Sequence, residues 1–348
     1  MNRFLPSLLL LLGAVNAQSS ATVLTYATPY GPNQTFSRAD KAWMQWVSAQ
    51  SGGALQIRPI WSGGLISSDQ SLIELRHGVA DIGLITPIYV RGGTHLIRVQ
   101  TGFYGGAKTF EQQVAMYRCL AAASSEYALE LKGLKILAVQ GGTLPGLLTR
   151  TREIRTLSDL QGMRIRVPTE LLGVMRDLGA DPVTMPMGEV YSSLAKGVLD
   201  AVVAPADTLK SLHFGEVAKY YTELEVPRGA YPARAMSEKR WQALAPQERA
   251  VLEASIPVWE DALSKETRAA VRSGEAEGRA QGVQFIPIAP AEQRRFDELY
   301  QEDAARGARA LARFDIDGEA VFRNARQIAK GIELSGQVTC RGGAHAAT

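Results

Sequence analysis

The sequence predicts an α/β fold divided into two domains, and three observations carry the prediction. Strand-type apolar runs alternate with segments of helical spacing, as parallel βαβ units require. The chain has 348 residues, more than one hydrophobic core comfortably supports. The pattern Gly-Val-x-Asp precedes two separate apolar runs, at Gly78-Val79-Ala80-Asp81 and Gly197-Val198-Leu199-Asp200, as two similar halves would give.

The elements follow in order. Thr22 to Thr28 is β-rich through Val23, Leu24 and Tyr26, and the loop Pro29-Tyr30-Gly31-Pro32-Asn33 follows. From Ser37 to Ser48, Ala39, Trp43, Trp46 and Val47 share one helical face, and Ser51-Gly52-Gly53 ends that helix. Leu55 to Trp61 is strand-like, Ser62-Gly63-Gly64 turns, and Ser67-Ser68-Asp69 offers N-caps for a helix through Arg76. Gly78 to Ile85 is a short buried strand. A second series starts with a strand from Leu134 to Val139 and a breaker-rich crossing, Gly141-Gly142-Thr143-Leu144-Pro145-Gly146. Arg164 to Val167 is a strand, Thr169 to Leu178 a helix closed by Gly179, and Gly197 to Pro205 another strand. Pro246 opens a long helix to about Gly278, with Glu248 favoured in its first turn. Gly282 to Ile288 is one more strand, and Pro290 to Ile332 is mostly helical.

The N-terminus reads as a leader. Arg3 precedes the apolar run Leu5 to Val15, and Val15-Asn16-Ala17 suits cleavage after Ala17. The run is too short to span a bilayer; an uncleaved anchor is the competing reading. A cleaved leader predicts export, with a periplasmic, soluble mature chain. The net charge of +3 falls by one with Arg3 and leaves no basic block, so nucleic acid is not an expected partner. Cys119 and Cys340 are the only cysteines. One disulfide, or a buried thiol and a free tail thiol, both fit an exported chain.

The most informative stretch is Leu160-Gln161-Gly162-Met163-Arg164-Ile165-Arg166-Val167-Pro168. Strand alternation puts Arg164 and Arg166 on one face, Ile165 and Val167 on the other. Pro168 stops the strand. A guanidinium beyond the carboxyl end of a strand suits bidentate capture of a carboxylate, and the helix beginning near Thr169 adds N–H groups there. An ordinary surface arginine on an edge strand is the bland alternative.

At these residues the chain resembles the substrate-binding proteins of TRAP transporters, the DctP-like family, over roughly Ala21 to Gly331. Ser158 to Pro168 resembles that family's signature strand. Gly179-Ala180-Asp181-Pro182-Val183, Met185 to Tyr191, Ser62-Gly63-Gly64-Leu65, Gly78 to Ile82 and Trp241-Gln242-Ala243-Leu244 resemble further family stretches. The resemblance implies a two-domain periplasmic binding protein fold with a cleft between the domains and a long helix spanning both. It implies domains at 21–143 with 233–272 and at 144–232 with 273–332, after the leader 1–17 and before a loosely ordered tail 333–348. It implies capture of a small organic acid by domain closure and delivery to integral-membrane TRAP permease subunits. The family's carboxylate-binding arginine maps onto Arg166. Two departures matter. Sialic-acid-type members carry a second arginine near the position of Pro145 or Gly146, and an asparagine where Ala204 stands. Their loss favours a carboxylate with a compact or apolar tail, since an unpaired polar group would be left desolvated.

Other candidate substrate-binding residues follow from position. Tyr30, Asn33, Gln34 and Phe36 lie in the first strand-to-helix loop. Trp61 and Tyr89 end strands of the first domain, where core packing explains them as well. Tyr191 and Asp207 stand at positions that can face the cleft, and Tyr231 follows Arg228-Gly229. Arg91 or Arg228 is a possible substitute for the second arginine, against a plain reading as solvent-facing charge. Enzyme motifs are weak or absent: there is no Gly-x-Ser-x-Gly, His-Glu-x-x-His, phosphate loop or dinucleotide fingerprint. His77, His95, His213 and His345 lack metal-ligand spacing. The expected protein is therefore a monomeric binding protein without cofactor. A ligand sensor for a membrane receptor, and more remotely an enzyme on the same scaffold, are the alternatives.

Overall fold

The strands collect into two sheets in the computed structural model, which describes residues 21–340 apart from Arg91. In chain order they are β1 (Thr22–Ala27), β2 (Leu55–Ile60), β3 (Ile82–Leu84), β4 (Leu134–Gln140), β5 (Gly146–Thr149) and β6 (Arg164–Arg166), then β7 (Asp181–Val183), β8 (Ala201–Ala204), β9 (Tyr220–Thr222), β10 (Tyr231–Ser237) and β11 (Gln284–Ile286). The first sheet has the order β2-β1-β3-β10-β4, the second β11-β9-β5-β8-β6-β7. β1 runs parallel to β2 and β3, while β10 is antiparallel to β3 and β4. Likewise β6 runs parallel to β7 and β8, while β5 is antiparallel to β8 and β9. Five strands of the second sheet thus repeat the topology of the first, with β11 added beside β9, and each sheet receives its antiparallel strand after the chain has crossed from the other.

The Gly-Val-x-Asp repeat falls at matching places, just before β3 and β8. Its aspartates do the same work. Asp81 Oδ2 accepts from the Thr25 N–H of β1 at 2.8 Å, and Asp200 Oδ2 accepts from the Arg164 N–H of β6 at 2.8 Å. Each carboxylate satisfies a backbone donor of the neighbouring parallel strand. Gly78 and Gly197 both adopt positive φ, 76° and 71°, which explains glycine at the turn.

Four connections join the lobes: residues 141–145, residues 223–230, the helix Pro290–Ala310, which sets Phe296 and Tyr300 in the second lobe's core and Ala308 in the first, and the helix Pro246–Ala280. That helix begins with Pro at its first turn, and Glu248 accepts from the Ala245 N–H at 2.8 Å. At 35 residues it is about 52 Å long. Its first half packs on the helix Thr35–Gln50, where Trp259 stacks on Trp43 with ring centroids 3.6 Å apart. Its second half lies against the second lobe. A Cβ at Gly274 would stand 2.2 Å from the Ala206 carbonyl oxygen, so the backbones meet closely there.

Three expectations need correction. The C-terminal helix Gly318–Ser335 buries Val321, Ala325, Ile328 and Ile332 in the core of the first sheet, together with Ala308 and Leu311. These parts of 273–332 therefore pack on the first lobe, because the apolar stripe matches the face beside the helix Phe110–Ala123. The tail is held at least to Cys340, which forms a disulfide with Cys119 and packs beside Val338 on the same core. The helix expected over Thr169–Leu178 is a 3-10 turn, Thr169–Leu171, followed by a short helix, Leu172–Asp177. The leader lies outside the described residues. Among the described residues no helix is long and apolar enough to cross a membrane.

Candidate functional site

Arg166 closes β6 with only 4% of its surface exposed. Its Nε donates to the Met185 carbonyl at 3.0 Å, and its Nη2 donates to the Tyr89 hydroxyl at 2.9 Å. Tyr89 ends a turn, Pro87–Tyr89, that follows β3, so the second bond runs between the lobes. No carboxylate forms an ion pair with Arg166 among the described residues. A buried guanidinium held by neutral acceptors alone is costly unless an anion completes it. Arg164, on the same face, is exposed and lies 3.9 Å from Asp181; only the residue at the carboxyl end passes beneath the opposite lobe.

The cavity beside Arg166 has a volume of about 150 Å³, the size of an engineered core cavity that takes up benzene. The first lobe supplies Tyr30, Phe36, Ile88, Tyr89 and Tyr231; the second supplies Arg166, Met187, Val203, Asp207 and Leu212; the crossings supply Thr143, Pro145, Val226 and Arg228. Tyr30 and Phe36 meet edge to face at 5.7 Å. Most of this wall is apolar or aromatic, and the charged groups are few, as in a small-molecule site.

Two acids share the cavity with the arginines. Burial pushes the Asp207 carboxyl up to about 6, against the opposing pull of Arg228 and of a hydrogen bond from Ser211. Burial also raises Glu170, against the opposing pull of Arg166, Thr101 and Arg228. The Oε2 of Glu170 is buried without a hydrogen-bond partner. Burial likewise raises the phenol of Tyr231. The environment therefore disfavours negative protein charge beside two fixed positive ones.

Of the residues expected at a cleft, Tyr30, Phe36, Tyr89, Arg166, Asp207 and Tyr231 line this cavity, as does Gln34. Four do not. Asn33 lines a neighbouring outer groove, and its carbonyl accepts from Arg38 at 2.7 Å. Trp61 packs edge-on against Tyr26 at 6.0 Å, on the rim of the first core. Gly146 and Ala204 pair with each other in β5 and β8, where Ala204 is buried in the second lobe's core. Tyr191 lines the outer groove and donates to Glu216 at 2.8 Å. Arg91 lies outside the described residues. Arg228, read as solvent-facing, instead lines the cavity. Glu170, Thr101 and Met187 were missed; only the nearness of Glu170 to Pro168 in the sequence signalled its place. Among the described residues, no group of three or more His, Cys, Asp or Glu is placed to hold a metal ion.

Comparison with known proteins agrees with this architecture. The model of the DctP family, described as bacterial extracellular solute-binding protein, family 7, matches residues 27–309. A monocarboxylate 2-oxoacid-binding periplasmic protein of Nostoc sp. is 28% identical over 179 residues, which cover 50% of this chain and 48% of that protein. The chain thus matches only about half the length of that curated relative. A TRAP solute binding protein from Rhodoferax ferrireducens, solved with copurified benzoate, superimposes with a TM-score of 0.81 at 23% identity, covering 91% of this chain and 100% of that one. A TRAP periplasmic solute binding protein from Bordetella bronchiseptica, solved with bound mandelate, gives 0.78 at 18% identity, covering 89% and 99%. At these identities the structural likeness establishes the fold.

Proposed function

The chain belongs to family 7 of the bacterial extracellular solute-binding proteins, and from that premise we propose that its cleft captures a small carboxylate with a compact, apolar or aromatic tail. The carrying observation is Arg166: nearly buried, at the carboxyl end of β6, with no ion pair to a carboxylate among the described residues. Its Nη1 makes no hydrogen bond within the described protein, and a ligand carboxylate on that edge supplies the missing charge. The volume and the aromatic wall support a ring-sized or short-chain tail. Neighbours that hold benzoate or mandelate support the same class. The bond from Arg166 to Tyr89 couples ligand capture to approach of the lobes. In this reading the exported protein then delivers the acid to TRAP permease subunits.

The test is calorimetry on protein stripped of co-purified ligand by unfolding and refolding, against short aliphatic and aromatic monocarboxylates. Truncating one partner of a buried charge pair costs about 2–5 kcal/mol, so Arg166→Ala should weaken binding at least about thirtyfold. Arg166→Lys should restore only part, because an ammonium cannot reproduce the guanidinium fork. A folded Arg166→Ala protein that binds the same acid with unaltered affinity would refute the proposal.

A further inference from the structure

Arg228 lines the cavity beside Arg166 yet makes no hydrogen bond or ion pair with the protein among the described residues. It is not a loose surface side chain. It is half-buried, and it lies against the first crossing where residue 142 has no side chain: a Cβ at Gly142 would stand 2.5 Å from the Arg228 Cζ. The next residue, Gly229, is fixed against Thr101, whose backbone would be 2.6 Å from a Cβ there. Two glycines thus place a guanidinium at the cavity and leave its donors free. Glu170 offers a second unused group at the same cavity, its buried Oε2 lacking a partner. A buried, unpaired acceptor costs more than a bond gains, so Glu170 asks for a ligand atom, and the half-buried guanidinium of Arg228 has donors available for the same atom.

Resting on the carboxylate reading above, we propose that Arg228 and Glu170 form a second polar subsite, which recognises a carbonyl or hydroxyl oxygen on the ligand besides the carboxylate held by Arg166. The ligand class is then an oxo or hydroxy monocarboxylic acid. Arg228 donates to that oxygen, and Glu170 in its neutral form donates a second hydrogen bond. The charge balance favours one carboxylate over two. Arg166 and Arg228 bring two positive charges, Asp207 offsets one when ionised, and burial favours the neutral form of Glu170. A hydroxyl or carbonyl satisfies the second subsite without adding a charge that the cavity leaves uncompensated.

The experiment uses stripped protein and matched probes: 3-phenylpropanoate, phenylpyruvate and 3-phenyllactate; butyrate, 2-oxobutyrate and 2-hydroxybutyrate; and succinate. In the wild type at least one oxygenated acid should bind about ten- to a hundredfold tighter than its plain analogue, the worth of a hydrogen bond to a charged group. Arg228→Met should reduce that ratio to near one while changing plain-acid affinity far less. Gly142→Ala, which displaces Arg228 without removing it, should do the same and covers the case in which Arg228→Met fails to fold. Glu170→Gln, still a donor, should keep the preference that Glu170→Ala weakens. Equal affinity for plain and oxygenated acids, with Arg166→Ala still abolishing both, overturns the second subsite and leaves the carboxylate reading standing. Succinate binding above every oxo and hydroxy acid overturns the monocarboxylate assignment. Failure of all the acids, with Arg166→Ala indistinguishable from wild type, would instead sink the carboxylate reading itself.

Discussion

Asp40 and Arg234 are both fully buried, and their separation by mutation has a large expected cost. Asp40 accepts from the Tyr26 hydroxyl at 2.6 Å, from Arg234 Nε at 2.9 Å and from Trp259 Nε1 at 2.9 Å. The group joins β1, β10, the first helix and the long helix at one point. Asp40→Asn preserves volume, so no cavity contributes; what changes is that a buried guanidinium loses its counter-charge. Breaking a buried pair from one side costs about 3–5 kcal/mol, and Arg234→Met should cost a similar amount. In Asp40→Asn with Arg234→Met no charge is buried at all, while Asn still accepts from Trp259. The double variant should therefore fall short of the sum of the singles by at least about 2 kcal/mol. Equilibrium urea unfolding followed by tryptophan fluorescence measures this directly. All five tryptophans, Trp43, Trp46, Trp61, Trp241 and Trp259, belong to the first lobe, so the signal reports the lobe in question. A loss below about 1 kcal/mol for Asp40→Asn, or strictly additive variants, would refute the argument from uncompensated charge.

Three further predictions concern other parts of the molecule. Tyr89→Phe removes the one hydrogen bond from Arg166 to the first lobe among the described residues and should weaken acid binding about three- to tenfold without lowering stability; unchanged affinity would show that the bond plays no part in closure. The folded Asp207 carboxyl sits near 6 against an ordinary 3.8, so between these pH values the folded state binds more protons than the unfolded one. Its burial therefore costs stability as pH rises through that window, by about 3 kcal/mol at pH 7. Asp207→Asn should abolish that slope in urea titrations at pH 4.5 and 7 followed by circular dichroism, and an unaltered slope would assign the titration elsewhere. Replacing Cys119 and Cys340 by Ser should cost about 2–5 kcal/mol, towards the upper end because the sequence separation is 221 residues; an unchanged urea midpoint would mean that the tail alone is restrained.

The fold was legible where local chemistry decides it. Strand runs such as Val23-Leu24-Tyr26 and the glycine-led repeat before Ile82 and Ala201 read correctly because short-range rules fix them: alternation, positive φ, and an aspartate that ties down the adjacent strand. What did not read is partner choice. Val321, Ala325, Ile328 and Ile332 mark an apolar helical stripe, yet either sheet offers an apolar face, and only the assembled chain shows which one the stripe meets. The disulfide is a similar case. Nothing in the sequence brings Cys119 and Cys340 together, whereas docking of the last helix sets their Cα atoms 5.1 Å apart. Asp40 and Arg234 read as ordinary charged residues because their burial depends on three distant elements.

The cleft divides the same way. Arg166 was legible because strand period and Pro168 place it at a carboxyl end. Arg228 was not, because a charged residue in a loop carries no signal of burial, and Gly142, which makes its room, lies on the other crossing. The two halves of that arrangement explain one departure from relatives with a second arginine near residue 146. At Gly146 a Cβ would stand 2.6 Å from both the Thr222 carbonyl oxygen and the Tyr221 ring. No side chain fits there, and Ala204 opposite it offers no hydrogen bond. The first crossing therefore cannot supply a polar partner at that point. The positive charge comes from the second crossing instead, on the far side of a glycine that clears its path. Moving the charge in this way keeps two cations at the cavity while the strand ends at Gly146 and Ala204 stay apolar, a distribution that suits a ligand polar at one end and apolar at the other.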